Sequence, residues 1–409
     1  MKRKFLSIAL ALTTALTLCA CQSSDNKADS NKTEGTKTEG LTAQNVKIGV
    51  IYIGDENEGY TAAHMAGIDE MQKELGVTDA QVIEKTLIPE DESCTDAAED
   101  LADQGCNIIF ATSFGHESYL MQVAAKYPDI QFCHATGYQA ASSGLSNFHN
   151  YFDNIYEARY VSGVVAGLKL NEMIAKGSIT KDQAKVGYVG AFPYAEVISG
   201  FTSFFLGVQS QCPTATMEVQ YTNSWANMTA EGEVATQLIA DGCVLISQHA
   251  DTTGAPTACE NAGVPCVGYN VDMTSVAPKS ALTSATNNWG VYYKYAVDSV
   301  IKGTQMPTDW TAGYNQKAVA ITALNEETVP ADAKDKVAEV EKQLADGSLH
   351  VFDTSKFKVG GKSLEEKIAE DKDYAKYSDY VKDGYFHESE IASAPAFDII
   401  IDNITAKAQ

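Results

Sequence analysis

The feature that most constrains the fold is a strand–helix pattern that occurs twice along the chain. Residues 46–53 (VKIGVIYI) form a mostly apolar run bounded by turn residues, typical of a strand buried on both faces of a parallel sheet. Strand and helix patterns then alternate as far as Ala135, and the same alternation begins again at Lys185. Strands that alternate with helices predict βαβ units. The repeat therefore predicts an α/β fold with two doubly wound parallel-sheet lobes.

The two halves also share a local motif. Residues 101–110 read LADQGCNIIF and residues 238–246 read LIADGCVLI, and a helix pattern and a short strand follow each. Ligands of doubly wound sheets bind beyond the carboxyl ends of the strands, and two facing lobes would bring those ends to one cleft. The segments predicted to line it are 54–60, 112–117, 135–138, 191–196, 223–225, 248–252 and 269–273.

The N-terminal segment has the features of an export signal. Three basic residues at 2–4 precede the apolar run 5–18, which is too short to span a bilayer as a stable helix. The run ends in Leu-Cys-Ala-Cys, which looks like a bacterial lipobox. We expect residues 1–20 to be a lipoprotein signal peptide and 21–45 to hold the lipidated Cys21 and a flexible tether. The mature protein is then lipid-anchored to the cell membrane on its extracytoplasmic face.

Composition limits the partners and the chemistry. The formal net charge of −24 argues against nucleic acid. Seven cysteines follow Cys21 without CxxC spacing, which favours buried small hydrophobic residues over a disulfide framework or a zinc site. His116, Glu117, His249 and Asp251 have no recognised metal spacing, so we predict no metal. No cofactor is predicted.

Motifs along the chain resemble the basic membrane protein family of ABC-transporter binding lipoproteins, which includes purine-nucleoside receptors. The matching stretches are 112–115 (TSFG) with 126–129 (KYPD), 155–167 (IYEARYVSGVVAG), 186–193 (VGYVGAFP), 222–225 (TNSW), 268–272 (GYNVD) and 288–293 (NWGVYY). Together they span roughly residues 46–305. Each motif alone is weak, but the set in this order is specific for the family.

The resemblance implies a type I periplasmic-binding-protein fold with three crossovers between the lobes. The crossings are expected near residues 151–156, 282–286 and 309–311. The first lobe would comprise 46–153 and 284–309, and the second 154–283 and 310–409. The tail, 347–409, is expected to form a surface helix packed on the second lobe.

The resemblance also implies capture of a small ligand in the interlobe cleft and its delivery to an ABC permease, by a protein expected to be a monomer and not an enzyme. A purine base needs aromatic faces for stacking and a few amides or carboxylates for its edge. The candidate ligand-binding residues are Tyr60, Phe114, Phe192, Glu196, Asn223, Trp225, Gln248, Asp251, Asn270, Asp272 and Trp289. Asn270 replaces the first Asp of the Gly-Val-Asp-x-Asp motif of relatives, the expected ribose or base contact, so base and nucleoside both stay open.

Other interpretations stay open. Riboflavin or a sugar would use the same cleft, and a ligand sensor would use the same fold with a different membrane partner. An exported nucleoside hydrolase is disfavoured, because the sequence contains no GxSxG, P-loop, GxGxxG or metal-hydrolase motif. Each candidate residue also has a structural interpretation; Glu196, for example, sits where a carboxylate stabilises a helix start. Glu157 and Arg159 are expected to form local ion pairs near the first crossing.

Overall fold

The computed structural model describes residues 40–407, so the predicted signal peptide, Cys21 and most of the tether lie outside the described residues. Its first elements are β1 (Ile48–Ile51), α1 (Gly59–Leu75), β2 (Val82–Lys85), α2 (Glu92–Asp103), β3 (Ile108–Ala111), α3 (Glu117–Ala124), β4 (Gln131–Ala135), α4 (Ala140–Ser143) and β5 (Phe148–Tyr151). The next are α5 (Ile155–Ala175), β6 (Lys185–Gly190), α6 (Ala195–Gln211), β7 (Thr216–Tyr221), α7 (Met228–Ala240), β8 (Leu245–Gln248), α8 (Gly254–Ala262), β9 (Cys266–Tyr269) and β10 (Ala281–Asn287). The last are α9 (Gly290–Lys302), β11 (Asp309–Trp310), β12 (Val319–Ile321), α10 (Ala333–Ala345), α11 (Leu364–Glu370), β13 (Val381–Lys382), β14 (Tyr385–Phe386) and β15 (Ile404–Lys407). Over residues 40–407, no helix combines the length and the apolarity that crossing a bilayer requires.

The strands form two large sheets, which share the same order over six strands, and a two-stranded antiparallel sheet of β13 and β14. The first sheet runs β11-β5-β4-β3-β1-β2 and is parallel. The second runs β12-β10-β9-β8-β6-β7-β15 and is parallel except where β12 pairs with β10. In each large sheet the opening strand lies between its second and third strands. This is the doubly wound arrangement predicted from the sequence repeat.

The start of α1 shows how local sequence positions a cleft residue. The Glu58 carboxylate caps the helix by accepting from the backbone N–H groups of Tyr60 at 2.6 Å and Thr61 at 2.9 Å. A cap of this kind contributes about 0.5–2 kcal/mol. Since β1 ends at Ile51, the cap places Tyr60 on the first helical turn beyond the carboxyl end of that strand.

The long helices α5 and α6 pack with their backbones in contact. A Cβ atom on Gly163 would lie 2.0 Å from the Phe204 carbonyl oxygen, and one on Gly207 would lie 2.1 Å from the Tyr160 carbonyl oxygen. Only glycine permits such an approach. The small residues of the 155–167 motif therefore allow α5 to pack closely on α6. We call the first sheet with the helices packed on it the first half of the molecule, and the second sheet with its helices, including α5 and α6, the second half.

The chain passes between the two sheets three times. The first passage lies between β5 and α5, as predicted. The second follows Asn287, a few residues beyond the predicted 282–286, because β10 remains paired in the second sheet. The third joins β11 to β12. Backbone hydrogen bonds tie the passages together, at 2.8 Å from Asn154 N to Ala312 O and 2.7 Å from Asn288 N to Ala318 O. The assignment of residue ranges to two lobes stays a prediction.

The tail does not form the predicted surface helix. Beyond α10 its longest helix, α11, has 7 residues, and the chain then runs without a long element to β15. Phe352 and Phe397 are buried and stacked, with ring centroids 4.3 Å apart. The strand β15 adds to the edge of the second sheet by pairing with β7. The tail is thus an integral part of the second half, since it extends both its core and its sheet.

A candidate ligand-binding cleft

A cavity lies between the carboxyl ends of the strands of the two sheets, where doubly wound topology predicts a ligand. The empty space inside it, counted together with open solvent at its edge, is about 360 Å³. The first half contributes Ile53, Tyr60, Thr112, Ser113, Phe114 and Thr136, which we call the first wall. The second half contributes Glu196, Trp225, His249, Asp251 and Tyr269, which we call the second wall.

The first wall contains a strained residue with an unused hydroxyl group. Thr136 follows β4 and has φ 66°, a left-handed conformation that a β-branched residue rarely adopts. Its Oγ1 is buried and has no hydrogen-bond partner among the described residues. Strain of this kind concentrates at ligand sites. The nearby Tyr60 ring is fixed because its hydroxyl donates to the Thr112 carbonyl oxygen at 2.7 Å.

The second wall carries the acidic and histidine side chains of the cavity, Glu196, His249 and Asp251. Glu196 lies on the first turn of α6, and its Oε1 is 2.9 Å from His249 Nε2. Burial lowers the pKa of His249 to about 4, and Arg159 acts in the same direction, while Glu196 opposes both. The imidazole is therefore neutral at pH 7, and with its proton placed on Nε2 it donates to Glu196.

Asp251 is a buried carboxyl group on the same wall. Its Oδ1 accepts from Asn270 Nδ2 at 2.7 Å. Burial raises the pKa of Asp251 well above its usual range, and Glu58, Glu231 and Glu196 raise it further. The raised pKa favours the protonated form of Asp251, which presents one donor and one acceptor. This pairing matches the edge of a nucleobase, which carries donors beside acceptors.

Arg159 lies behind the second wall. Its Nη1 donates to the Tyr188 hydroxyl at 2.7 Å and to the Gln248 carbonyl oxygen at 3.0 Å, and its guanidinium stacks 3.8 Å from the Tyr269 ring centroid. The predicted ion pairs are wrong, because the Arg159 hydrogen bonds go to a hydroxyl and a carbonyl oxygen, and Glu157 accepts from Tyr314 N at 2.8 Å. Within residues 40–407, no lysine or arginine lines the cavity.

The structure places five of the eleven candidate residues on the cavity: Tyr60, Phe114, Glu196, Trp225 and Asp251. Phe192 lies behind Trp225, with the rings edge to face at 5.0 Å. Asn270 supports Asp251 from a left-handed conformation, φ 65°. The Gln248 amide is turned into its own loop, where Nε2 donates to the carbonyl oxygens of Ala250 at 2.6 Å and Thr252 at 2.9 Å.

The other three candidates serve their own surroundings. Asn223 is exposed, with φ 55°, in the loop before Trp225. Asp272 is exposed and accepts from Thr274 N at 2.8 Å. Trp289 is buried in the first half and stacks on His64 with centroids 4.1 Å apart. None of the three lines the cavity.

Six lining residues were not among the candidates: Ile53, Thr112, Ser113, Thr136, His249 and Tyr269. All except Ile53 fall within the segments predicted to line the cleft. These residues could have been found from their position at or just after the end of a strand. Residue type alone does not identify them, because threonine, serine and histidine are common in loops.

The two walls touch directly at one edge of the cavity. The Gly59 backbone N–H donates to the Asp251 carbonyl oxygen at 3.0 Å. Phe114 of the first wall also meets Tyr194 of the second half, with ring centroids 5.4 Å apart. The two halves are thus in direct contact beside the cavity.

Comparison with known proteins gives consistent results. The family model Bmp, described as ABC transporter substrate-binding protein PnrA-like, matches residues 45–349. A purine-binding protein of Brucella abortus is 33% identical over 313 residues, covering 76% of this chain and 83% of that protein. A putative ABC transporter glucose-binding protein of Haloferax volcanii is 32% identical over 261 residues, covering 63% of this chain and 62% of that protein.

Solved structures show the same fold. An ABC transporter solute-binding protein from Conexibacter woesei has a TM-score of 0.61 at 21% identity, covering 75% of this chain and 98% of that one. A solute-binding protein from Aeropyrum pernix has a TM-score of 0.63 at 16% identity, covering 75% and 93%. The predicted type I periplasmic-binding fold is confirmed.

Proposed function

Because the chain belongs to the Bmp family of PnrA-like ABC transporter substrate-binding proteins, we propose that it binds a purine base or nucleoside in the cavity between its two walls. Membership makes it an extracytoplasmic substrate-binding protein that works with an ABC permease, in a family of solute-binding proteins and not of enzymes. The purine ligand and the lipid anchor on Cys21 are the further steps of the proposal.

The observation that carries the purine assignment is the combination of aromatic residues on both walls with a buried carboxyl group on the second wall. Tyr60 and Phe114 come from the first wall and Trp225 from the second. Each aromatic stack on a flat base contributes about 0.5–1.5 kcal/mol beyond burial. Asp251 supplies the donor–acceptor edge. The purine-binding relative from Brucella abortus supports the same assignment.

A sugar is the competing ligand, because a relative is named as a putative glucose-binding protein. Sugar hydroxyls are best matched by several amides and carboxylates that converge on the ligand. Here the Gln248 amide is turned into its own loop and the Asn270 amide is bonded to Asp251. Because these two amides are already bonded within the protein, the site favours a flat aromatic ligand over a hexose.

Isothermal titration of the purified protein tests the purine assignment. The ligands are adenine, guanine, adenosine, guanosine and inosine, with glucose and riboflavin as the competing class. We expect saturable heat from at least one purine. Heat from glucose or riboflavin with none from any purine contradicts the assignment. Free base that appears with turnover from a nucleoside contradicts a solute-binding role.

Membrane fractionation tests the lipid anchor. Cys21→Ala should move the protein from the membrane pellet to the soluble fraction, since a single tether holds it at the surface. Cys19→Ala is the matched control, because it removes a cysteine two residues earlier and should leave the protein in the pellet. A Cys21→Ala variant that stays with the membrane contradicts the anchor.

A further inference from the structure

Two loops of the second wall are joined to each other through their backbones. Trp225 lies in the loop between β7 and α7, and Asp251 lies in the loop between β8 and α8. The Asp251 backbone N–H donates to the Trp225 carbonyl oxygen at 2.9 Å. The position of each cleft residue therefore depends on the loop of the other, although the two follow different strands.

The Glu231 side chain bonds to both of these loops. It lies on the first turn of α7 and is 0% exposed. Its Oε1 accepts from the backbone N–H of Asn227, which follows Trp225 closely in the same loop, at 3.1 Å. Its Oε2 accepts from the backbone N–H and the hydroxyl group of Thr252, the residue after Asp251, at 3.1 and 2.6 Å. Each oxygen of one carboxylate thus holds one loop.

Local sequence brings the Glu231 carboxylate to this position. Asn227 caps α7, since its Oδ1 accepts from the Ala230 N–H at 3.0 Å. Residues four apart lie on the same face of a helix, so the Glu231 side chain reaches back to the start of α7. The start of a helix also favours a carboxylate, because its N–H groups lack partners within the helix. The cap and the helix spacing therefore place the carboxylate between the two loops.

The three donors around Glu231 match a carboxylate and no other side chain of its size. A carboxylate accepts on both oxygens, whereas the glutamine amide has one oxygen and an NH₂ group that would face the donors of one loop. Hydrogen bonds to the charged form are the condition on which a buried carboxylate is tolerated. Glu231 does not line the cavity, so any effect it has on a ligand passes through Trp225 and Asp251, which do.

We propose that Glu231 is a positioning residue for ligand binding, which holds the Trp225 ring and the Asp251 carboxyl group in one fixed arrangement. The inference rests on the proposed purine function, because a flat base that contacts both residues needs them placed together. Without the Glu231 bonds, the two loops settle separately and the ligand has to order them as it binds, which weakens affinity. The Gly59 N–H of the first half also meets the Asp251 carbonyl oxygen, at 3.0 Å, so the same arrangement supports the contact between the walls.

Titration with the purine that gives heat measures the effect. Glu231→Gln keeps the size of the side chain but can accept from only one loop, and we expect affinity to fall by about tenfold. Thr252→Val keeps the β-branched shape and removes one donor to the carboxylate, and affinity should fall by about threefold. Glu233→Gln, on the exposed face of the same helix, is the matched control and should leave affinity as it is. Unchanged affinity in Glu231→Gln or in Thr252→Val overturns the positioning role.

A double-mutant cycle separates positioning from a general role in stability. In the Trp225→Ala background, Glu231→Gln should lower affinity by less than about threefold, because the ring that it positions is absent. The same tenfold loss in both backgrounds would assign Glu231 to the stability of the fold and overturn the proposal.

Hydrogen exchange of the ligand-free protein tests the arrangement of the loops without a purine. Glu231→Gln should speed amide exchange by about tenfold in both 223–227 and 250–253, and Glu233→Gln should not. Faster exchange in one of the two loops alone overturns the joint arrangement. No heat from any purine overturns the proposed function, while the exchange result still decides whether Glu231 holds the two loops together.

Discussion

The two walls of the cleft are built on the same strand order but differ in chemistry. The first wall is uncharged and offers hydroxyl groups and aromatic rings, with Tyr60 and Thr136 as its most constrained members. The second wall holds Glu196, His249 and Asp251, with Arg159 fixed behind it. A repeated architecture thus supplies two surfaces, and the polar recognition of the ligand is concentrated on one of them.

The difference between the two walls also predicts which wall the ligand contacts first. The second wall is braced from behind by the stack of Arg159 on Tyr269 and by the Phe192 ring under Trp225. The first wall reaches it through Gly59 and Phe114. We expect a ligand to bind first to the braced second wall, and the first wall then to close over it, as in hinged binding proteins.

The largest expected effect is the loss of the Trp225 ring from the second wall. Trp225→Ala should weaken purine binding by about 2–4 kcal/mol, roughly 30- to 1000-fold, because both stacking and burial are lost. Phe114→Ala, the matched change on the first wall, should cost less, about 1–2 kcal/mol, because the smaller ring buries less of the ligand. Titration of both variants measures the contrast, and a larger loss for Phe114→Ala would reverse the comparison.

The melting temperature of each ligand-free variant is the control. Trp225 is partly buried against the core of the second half, so its removal could act through the fold. A large drop in melting temperature at near-wild-type affinity would assign Trp225 to packing and remove it from the site.

A smaller effect is expected where the walls touch. A Cβ atom on Gly59 would lie 3.0 Å from the Asp251 carbonyl oxygen, so Gly59→Ala must push the walls apart by a few tenths of an ångström. We expect affinity to fall by about fivefold with no loss of ligand-free stability, because alanine favours the helix. Gly232→Ala in α7 is the control, since its nearest neighbour would be at 3.5 Å. Unchanged affinity for Gly59→Ala would mean that this contact is not part of closure.

The smallest effect is the pH dependence of stability due to Asp251. Its pKa is raised by burial, with Glu58, Glu231 and Glu196 nearby, so the folded state holds a proton that the unfolded chain has already lost. The associated stability is fully present below the unfolded pKa and is lost as pH rises through the folded pKa. Asp251→Asn carries no such proton. The melting temperature of the variant minus that of the wild type should therefore increase by about 1–3 °C as the pH rises from about 4 to about 8. Thermal melts across this range test it, with exposed Asp272→Asn as control; a constant difference contradicts a raised pKa.

Much of the fold could be predicted from local sequence because the parallel strands are short, apolar and separated by turns. The strand β1 lies within the predicted run 46–53, β4 ends at Ala135 and β6 begins at Lys185, as the two alternating patterns predicted. The tail could not be predicted, because β15 is a strand only through pairing with β7, which lies far away in the sequence. Its charged and tyrosine-rich residues favoured a helix that tertiary contacts override.

The cleft was easier to locate than its side chains. The principle that ligands bind beyond the carboxyl ends of the strands selected the right loops. The direction of each side chain, however, depends on contacts that are remote in sequence. Gln248 turns into its own loop, and Trp289 packs on His64 of another helix. Tyr269 was overlooked because only the fold places it between Arg159 and the cavity.

Small-angle X-ray scattering tests most directly the claim that two walls close on a purine. The radius of gyration should decrease when the protein is saturated with the purine that gives heat in titration, and glucose at the same concentration should leave it unchanged. A radius that stays constant at saturating purine would contradict binding in the cleft between the walls.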